Sequence, residues 1–251
     1  MRFYGTSEND PLLEIIIYVN PDARPPVYFS DITEVLPESG QIHRRFKENG
    51  FKEILVAPTN LQAKILQLIK QEIQYHEKSG AGRIIAKINS LVDTDIIQAL
   101  YRASQVGVRV DLIVRGICCL RPGLKGLSEN IKVTSIIDRF LEHSRIFYFR
   151  QGGEEKVYLS SGDWMPRNFY ARYEIAFPVK DPVLKVYLRD TVLGNSLADN
   201  AKAWTLQPDS RYVRSARKED ESPYRSQFVF TALADNFYRD TILATRAIEL
   251  S

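Results

Sequence analysis

Histidine, arginine and hydroxyl side chains crowd two short stretches of this 251-residue chain. "RFLEHSRIFYF" (Arg139–Phe149) sets His143 between Glu142 and Ser144, with Arg145 two places on and aromatics behind it. "KVYLSSGDWMPRN" (Lys156–Asn168) gathers Ser160, Ser161, Gly162, Asp163, Trp164 and Arg167 around one turn. An imidazole can attack phosphorus or give up a proton near neutral pH, because its free pKa is about 6.5. Phosphoryl transfer asks the protein for little beyond cationic and hydrogen-bonding groups around the phosphate oxygens. The planar donor fork of arginine suits that task. Four arginines are candidates: Arg115, Arg145, Arg167 and Arg172. Taken alone, His143 also reads as a surface histidine paired with Glu142 or Asp138, and the serine turn as an ordinary one anchored by Trp164. The order of the pieces favours the chemical reading. The other two histidines carry less. His43 lies in a basic connector, and His76 lies near a helix end, where a histidine commonly complements the helix dipole.

Elements that would position these residues are legible from Phe51 onward. "EILVAP" reads as a buried strand closed by Pro58. A helix follows, with Asn60 as its N-cap and Leu61, Ile65, Leu68, Ile69 and Ile73 on one face. Gly80 and Gly82 stop it. "RIIAKI" is a strand, and "LVDTDIIQALYRASQVG" a helix capped by Asp93 or Thr94. "VRVDLIVRG" is a strand rich in β-branched residues. This alternation predicts a mostly parallel sheet covered by helices. Ligands of such sheets bind outside the carboxyl ends of the strands, where "LIVRG" places Arg115. Further strands are predicted at "IKVTSI", Arg145–Phe149, Lys156–Leu159 and Arg172–Val179. A helix is predicted over about Pro182–Leu197, with Asp181 capping and Pro182 at its first position. The stretch "WTLQPDSRYVRSARKEDESPYRS" reads as polar and extended, and a last helix is predicted from about Ser226 to Ile248.

Composition narrows the class without naming it. Hydrophobic residues are 44% and charged residues 26%, and the net charge of +3 is too balanced to argue for nucleic acid. The two cysteines, Cys118 and Cys119, are adjacent, a placement poorly suited to an ordinary disulfide. A reducing cytoplasm is the expectation. No apolar run approaches the roughly 20 residues of a membrane span.

The spacing of His143, Arg145 and "SSGDW" is similar to the phospholipase D superfamily pattern H-x-K…G-S-x-N, with Arg145 at the lysine position. Longer blocks resemble the C-terminal region of bacterial polyphosphate kinase. They are "NSLVDTDIIQALYRASQVGVRVDLIVRGICCLRPGL", "ENIKVTSIIDRFLEHSRIFYF", "KVYLSSGDWMPRN", "RYEIAFPVKDP" and "LQPDSRYVR…PYRSQ", in order from about Phe51 to Ala232. The resemblance implies an α/β fold: a phospholipase D-like mixed sheet flanked by helices, with a C-terminal helical extension. Residues 1–50 would be an N-terminal segment or the remnant of a preceding domain, and 51–251 the C-terminal catalytic domain.

The implied activity is reversible transfer of the terminal phosphate of ATP to inorganic polyphosphate. His143 would be the catalytic proton donor or phosphate contact. Arg115, Arg172, Arg145, Arg167, Ser160 and Ser161 would bind substrate. The family implies ATP and Mg2+, with the metal held mainly outside this chain, and a phosphorylated histidine in a preceding H-x-K domain. No H-x-K segment with strand context stands upstream of Phe51, although "VYFSDITEVL" faintly resembles the end of that domain. Expected partners are ATP or ADP, polyphosphate and the rest of the kinase chain. A homo-oligomer and peripheral membrane association are further expectations, and nucleic acid is not. The rival readings are a phospholipase D-like phosphodiesterase and a non-catalytic polyphosphate-binding module.

Overall fold

In a computed structural model, residues 53–215, 217 and 220–235 are described, together with the backbone of residues 2–4 and 14–16. The chain divides into two compact units, 1–53 and 54–251. In the first, β1 (Arg2–Tyr4) pairs antiparallel with β2 (Glu14–Ile16). His43 lies outside the described residues.

The second unit is built on one nine-stranded sheet. Its strands in chain order are β3 (Leu55–Ala57), β4 (Arg83–Ile88), β5 (Arg109–Val114), β6 (Ile131–Ile136), β7 (Arg145–Phe149), β8 (Lys156–Ser160), β9 (Glu174–Val179), β10 (Ala203–Leu206) and β11 (Tyr212–Arg214). Across the sheet they run β11-β10-β6-β5-β4-β7-β8-β9-β3. Only β4, β5 and β6 are mutually parallel, and every other neighbouring pair is antiparallel. The mixed sheet expected from the resemblance is borne out, and the mostly parallel sheet is corrected. The alternation of strand and helix holds, but β3 goes to the far edge beside β9 instead of joining β4.

One face is covered by α1 (Leu61–Ser79) and α2 (Thr94–Gln105). Leu61, Ile65, Leu68 and Ile69 are buried there, as the 3.6-residue spacing predicts. Each buried aliphatic side chain contributes about 1.5–3 kcal/mol. Asp93 caps α2, accepting from the Ile96 amide at 3.0 Å. Asn60 stands at the N-cap of α1 but makes no capping bond; its Oδ1 accepts from the Val56 amide at 2.6 Å. Gly80 closes α1 in the left-handed conformation (φ 67°). His76 Nδ1 accepts from the Gly82 amide at 3.0 Å, a structural role.

The other face is covered by α4 (Pro182–Val186), a π-helical stretch (Tyr187–Leu193) and α5 (Gly194–Ala198), packed on Ile85, Ile113, Ile136 and Ile146. Asp181 caps α4 through the Val183 and Leu184 amides. The stretch expected to be extended and polar contains β10 and β11, a hairpin added to the sheet beside β6. Residues 226–235 are helical; the rest of the predicted last helix lies outside the described residues. No helix among the described residues is long and apolar enough to cross a membrane.

Candidate active site

Strand register brings the chemistry to one edge of the sheet. The parallel strands β4, β5 and β6 end at Ile88, Val114 and Ile136. β7 runs opposite to β4, with Ile146 beside Lys87, so the segment before β7 arrives at that edge. Ser160 faces Arg145 across β7 and β8, and Ala176 faces Ser160 across β8 and β9. His143, Arg115, the serine turn and the entry to β9 therefore meet along the carboxyl ends of β4–β6. A cleft opens there, lined by Lys87, Arg115, Glu142 and Ser144 over Ile88, Ile113 and Ile136.

His143 is exposed, on the irregular segment 137–144. Its imidazole is held below its ordinary pKa first by partial desolvation, then by the positive charge of Arg145 and, more weakly, of Arg115; Asp163 opposes them. Neither acid of the surface-histidine reading pairs with it. Glu142 accepts from Lys87 Nζ at 2.5 Å and from Gln227 Nε2 at 2.9 Å. Asp138 takes both ends of the Arg225 fork, which holds its carboxyl below the usual carboxylate range.

Arg145 is less free than its sequence context suggests. Its Nε and one terminal nitrogen reach the two carboxylate oxygens of Asp163 at 3.0 and 3.2 Å, and the other donates to the His143 carbonyl at 3.0 Å. Both partners of the ion pair are nearly buried. Arg145 thus fixes the backbone at the histidine and supplies charge from a locked position. Arg115 is half-buried; one terminal nitrogen donates to Asn89 Oδ1 at 2.5 Å, and its Nε has no hydrogen-bond partner. Gly116 lets the chain turn tightly, since a Cβ there would stand 3.0 Å from the Asn89 carbonyl.

The serines are committed inside the turn. Ser160 Oγ, buried, donates to the Ile175 carbonyl at 3.0 Å and accepts from the Gly162 amide at 3.1 Å. Ser161 Oγ donates to Glu174 at 2.5 Å and accepts from the Ile175 amide at 3.0 Å. They brace the turn that presents Asp163. Gly162 packs so closely that a Cβ would lie 3.1 Å from that of Glu174. Arg167, on α3 (Pro166–Tyr170), and Arg172, two residues before β9, are exposed at the same edge. Among the described residues neither has an ion-pair partner, and neither is among the charges acting on the imidazole.

Two residues outside the expected set do much of the holding. Asp163 accepts from the Asn89 amide at 2.7 Å as well as from Arg145, and the Asn89 side chain holds Arg115. Asn89 follows β4 directly, so the strand-end rule that located Arg115 locates it too. Among the described residues no group of three His, Cys, Asp or Glu side chains could hold a metal ion. The carboxylates at this edge are already engaged, Asp163 by Arg145 and the Asn89 amide and Glu142 by Lys87 and Gln227. Magnesium does not fit the described residues at this edge.

An open α/β sheet whose strand ends gather an imidazole and guanidinium groups is an arrangement suited to binding an anion. The comparisons make that arrangement particular. Residues 54–227 match the model of the family described as polyphosphate kinase C-terminal domain 2, and the chain belongs to that family. It is 53% identical over 188 residues to a polyphosphate kinase of Synechocystis sp., covering 75% of this chain and 26% of that protein. It is 52% identical over 172 residues to the polyphosphate kinase of Pseudomonas putida, covering 68% and 24%. The crystal structure of polyphosphate kinase from Porphyromonas gingivalis superposes with a TM-score of 0.71 at 39% identity, covering 84% of this chain and 31% of that one. The chain spans about a quarter of the length of the curated relatives it matches.

Proposed function

We propose that this domain is the phosphate-clamping part of a polyphosphate kinase, which reversibly transfers the terminal phosphate of ATP to inorganic polyphosphate. The observation that carries the reading is the charge state of the sheet edge. The Arg145 and Arg115 charges both act on the His143 imidazole, opposed by the single acid Asp163. A phosphate entering the cleft meets the Arg115 guanidinium, which has no carboxylate partner among the described residues, and the nearby imidazole. In the free protein the neighbouring cations favour the neutral imidazole. A bound polyanion cancels their field and raises the proton affinity of His143. The imidazolium can then give a proton or hydrogen bond to the oxygen that leaves as the phosphoryl bond breaks. Arg115 stabilises charge on the transferring group, and Arg145, braced by Asp163, holds the histidine backbone in place. Exposed Arg167 and Arg172 extend the cationic edge for further phosphates of the chain. The phosphorylated histidine, in this reading, is supplied by the rest of the kinase.

The test is kinetic. This segment replaces its counterpart in the Synechocystis enzyme, and His143→Ala is made in that chimera. Loss of the proton donor should lower kcat by about 10²–10⁴ and leave KM for ATP nearly unchanged, the pattern of an interaction made mainly in the transition state. A folded variant with normal turnover contradicts the role. Hydrolysis of a phosphodiester by the isolated chain would favour the phosphodiesterase reading, and polyphosphate binding by the isolated chain, with chimera turnover that survives His143→Ala, would favour the binding module.

A further inference from the structure

The segment that carries His143 has no architecture of its own. Residues 137–144 are neither helix nor strand, and Ile137, Phe140 and Leu141 are 64%, 52% and 71% exposed. Among the described residues the segment makes no backbone–backbone hydrogen bond to any other part of the chain. Ordering an irregular loop without such bonds costs conformational entropy. Arg145 holds only the His143 carbonyl, so residues 138–142 need a further hold.

The four residues Tyr224–Gln227 do so, and they divide the work. Two fasten themselves to the scaffold. Tyr224 Oη donates to Asn195 Oδ1 at 2.5 Å, and its amide donates to Asn200 Oδ1 at 2.6 Å. Ser226 gives both its amide and its hydroxyl to Asp199 Oδ2 at 2.8 Å. The other oxygen of Asp199 accepts from the amides of Ala201, Lys202 and Ala203, at the start of β10. The alternate two grip the loop. Arg225 makes a forked pair with Asp138 at 2.6 and 2.5 Å, its guanidinium 3.9 Å above the Phe228 ring. Buried Gln227 reads the Phe140 peptide as a strand neighbour would. Its Oε1 accepts from the Phe140 amide at 2.8 Å, and its Nε2 donates to the Phe140 carbonyl at 2.8 Å. The same Nε2 reaches Glu142, the residue next to the histidine, whose second oxygen is held by buried Lys87 of β4. Lys87 also donates to Ser196 of α5 at 3.2 Å.

We propose that Gln227 and Arg225 are positioning residues for phosphoryl transfer: they clamp residues 138–142 so that His143 stands beside Arg115 and Arg145. The inference rests on the reading of His143 as the proton donor. The clamp itself is separable from that reading, because it predicts where the imidazole sits whatever the imidazole does. Neither residue lines the cleft. Gln227 supplies three contacts to two loop residues and Arg225 two contacts to one, so Gln227 carries the larger effect.

The test uses Gln227→Ala in the full chain and in the Synechocystis chimera. By NMR, the His143 titration should move up toward the ordinary imidazole value as the ring leaves its cationic neighbours, while the β4–β5 amide resonances stay in place and report an intact fold. Turnover should fall roughly tenfold to a hundredfold, the effect of a misplaced catalytic group, with KM for ATP within about twofold of the parent. In a His143→Ala background, Gln227→Ala should cost nothing more, since both changes remove the same contribution. Arg225→Lys, which keeps the charge but not the fork, should reproduce a small part of the loss. An unmoved His143 titration overturns the proposal, as does a full extra loss in the His143→Ala background. A moved titration with unchanged turnover sustains the clamp and overturns the catalytic reading of His143.

Discussion

The two ends of the central strands carry similar numbers of arginines and use them oppositely. Where β4 and β5 begin, Arg83 and Arg109 both pair with the buried carboxylate of Asp111, at 3.2 and 2.9 Å. Beside them Arg189 pairs with Glu155 and Asp190. Where the same strands end, Arg115 has only the neutral Asn89, and Arg167 and Arg172 have no acid among the described residues. Arg145 is paired, but with an acid buried beside it, and the couple serves as a fixed brace. The number of cations does not mark the site; the absence of compensating carboxylates does. An anion arriving at the strand starts must displace Asp111 or Glu155, whereas one arriving at Arg115, Arg167 or Arg172 meets no paired carboxylate among the described residues.

The largest effect expected from this contrast is on stability. Asp163→Ala leaves the nearly buried Arg145 guanidinium without its partner and the Asn89 amide without an acceptor. Breaking such a pair on one side costs about 3–5 kcal/mol, read as a lower denaturation midpoint. Arg109→Ala removes a side chain that is 65% exposed and should cost at most about 1 kcal/mol. Equal losses would mean that the two ends are not built differently.

The next effect is on binding. Arg115→Ala should weaken polyphosphate binding by about tenfold or more, the usual size of a hydrogen bond to a charged group. Arg109→Ala should leave it unchanged. Titration calorimetry at low and at high salt measures both, and the Arg115-dependent part should shrink as salt rises. Equal sensitivity at the two ends would break the comparison. A smaller effect concerns pH. The His143 pKa is lower in the folded chain than in the unfolded one, so unfolding takes up a proton as pH falls through the ordinary imidazole range. The histidine therefore contributes no penalty above that range and a destabilising one below it. His143→Asn should flatten the acid side of the stability profile slightly, and thermal melts between pH 5 and 8 would show it.

Local pattern made part of this legible and left part of it out. The spacing of Leu61, Ile65, Leu68 and Ile69 gives α1, and "LIVRG" at a strand end gives Arg115, because period and strand polarity are local properties. Pairing direction is not. Nothing within β3 says that it lies antiparallel to β9. The β10–β11 hairpin was hidden because its outward residues, Trp204, Thr205 and the "PDS" turn, read as a polar connector, whereas only Ala203 and Leu206 are buried. At the site, residue types were legible and their duties were not. Ser160 and Ser161 look like phosphate ligands in "SSGDW", yet both hydroxyls are occupied by Glu174 and the backbone. Gln227 acts across 85–87 residues of chain, a separation that spacing within a motif does not reveal.

The central claim is that His143 and its arginines surround one phosphate site, and the imidazole itself reports on it. Its titration, followed by NMR in the isolated chain at low salt, should lie below the ordinary histidine value without ligand. It should rise when polyphosphate is added, because the anion cancels the field of Arg115 and Arg145. The rise should vanish in Arg115→Ala if that arginine brings the anion to the ring. A His143 titration that polyphosphate leaves unmoved, at concentrations where calorimetry shows the chain to be saturated, would place the bound anion elsewhere and contradict the account.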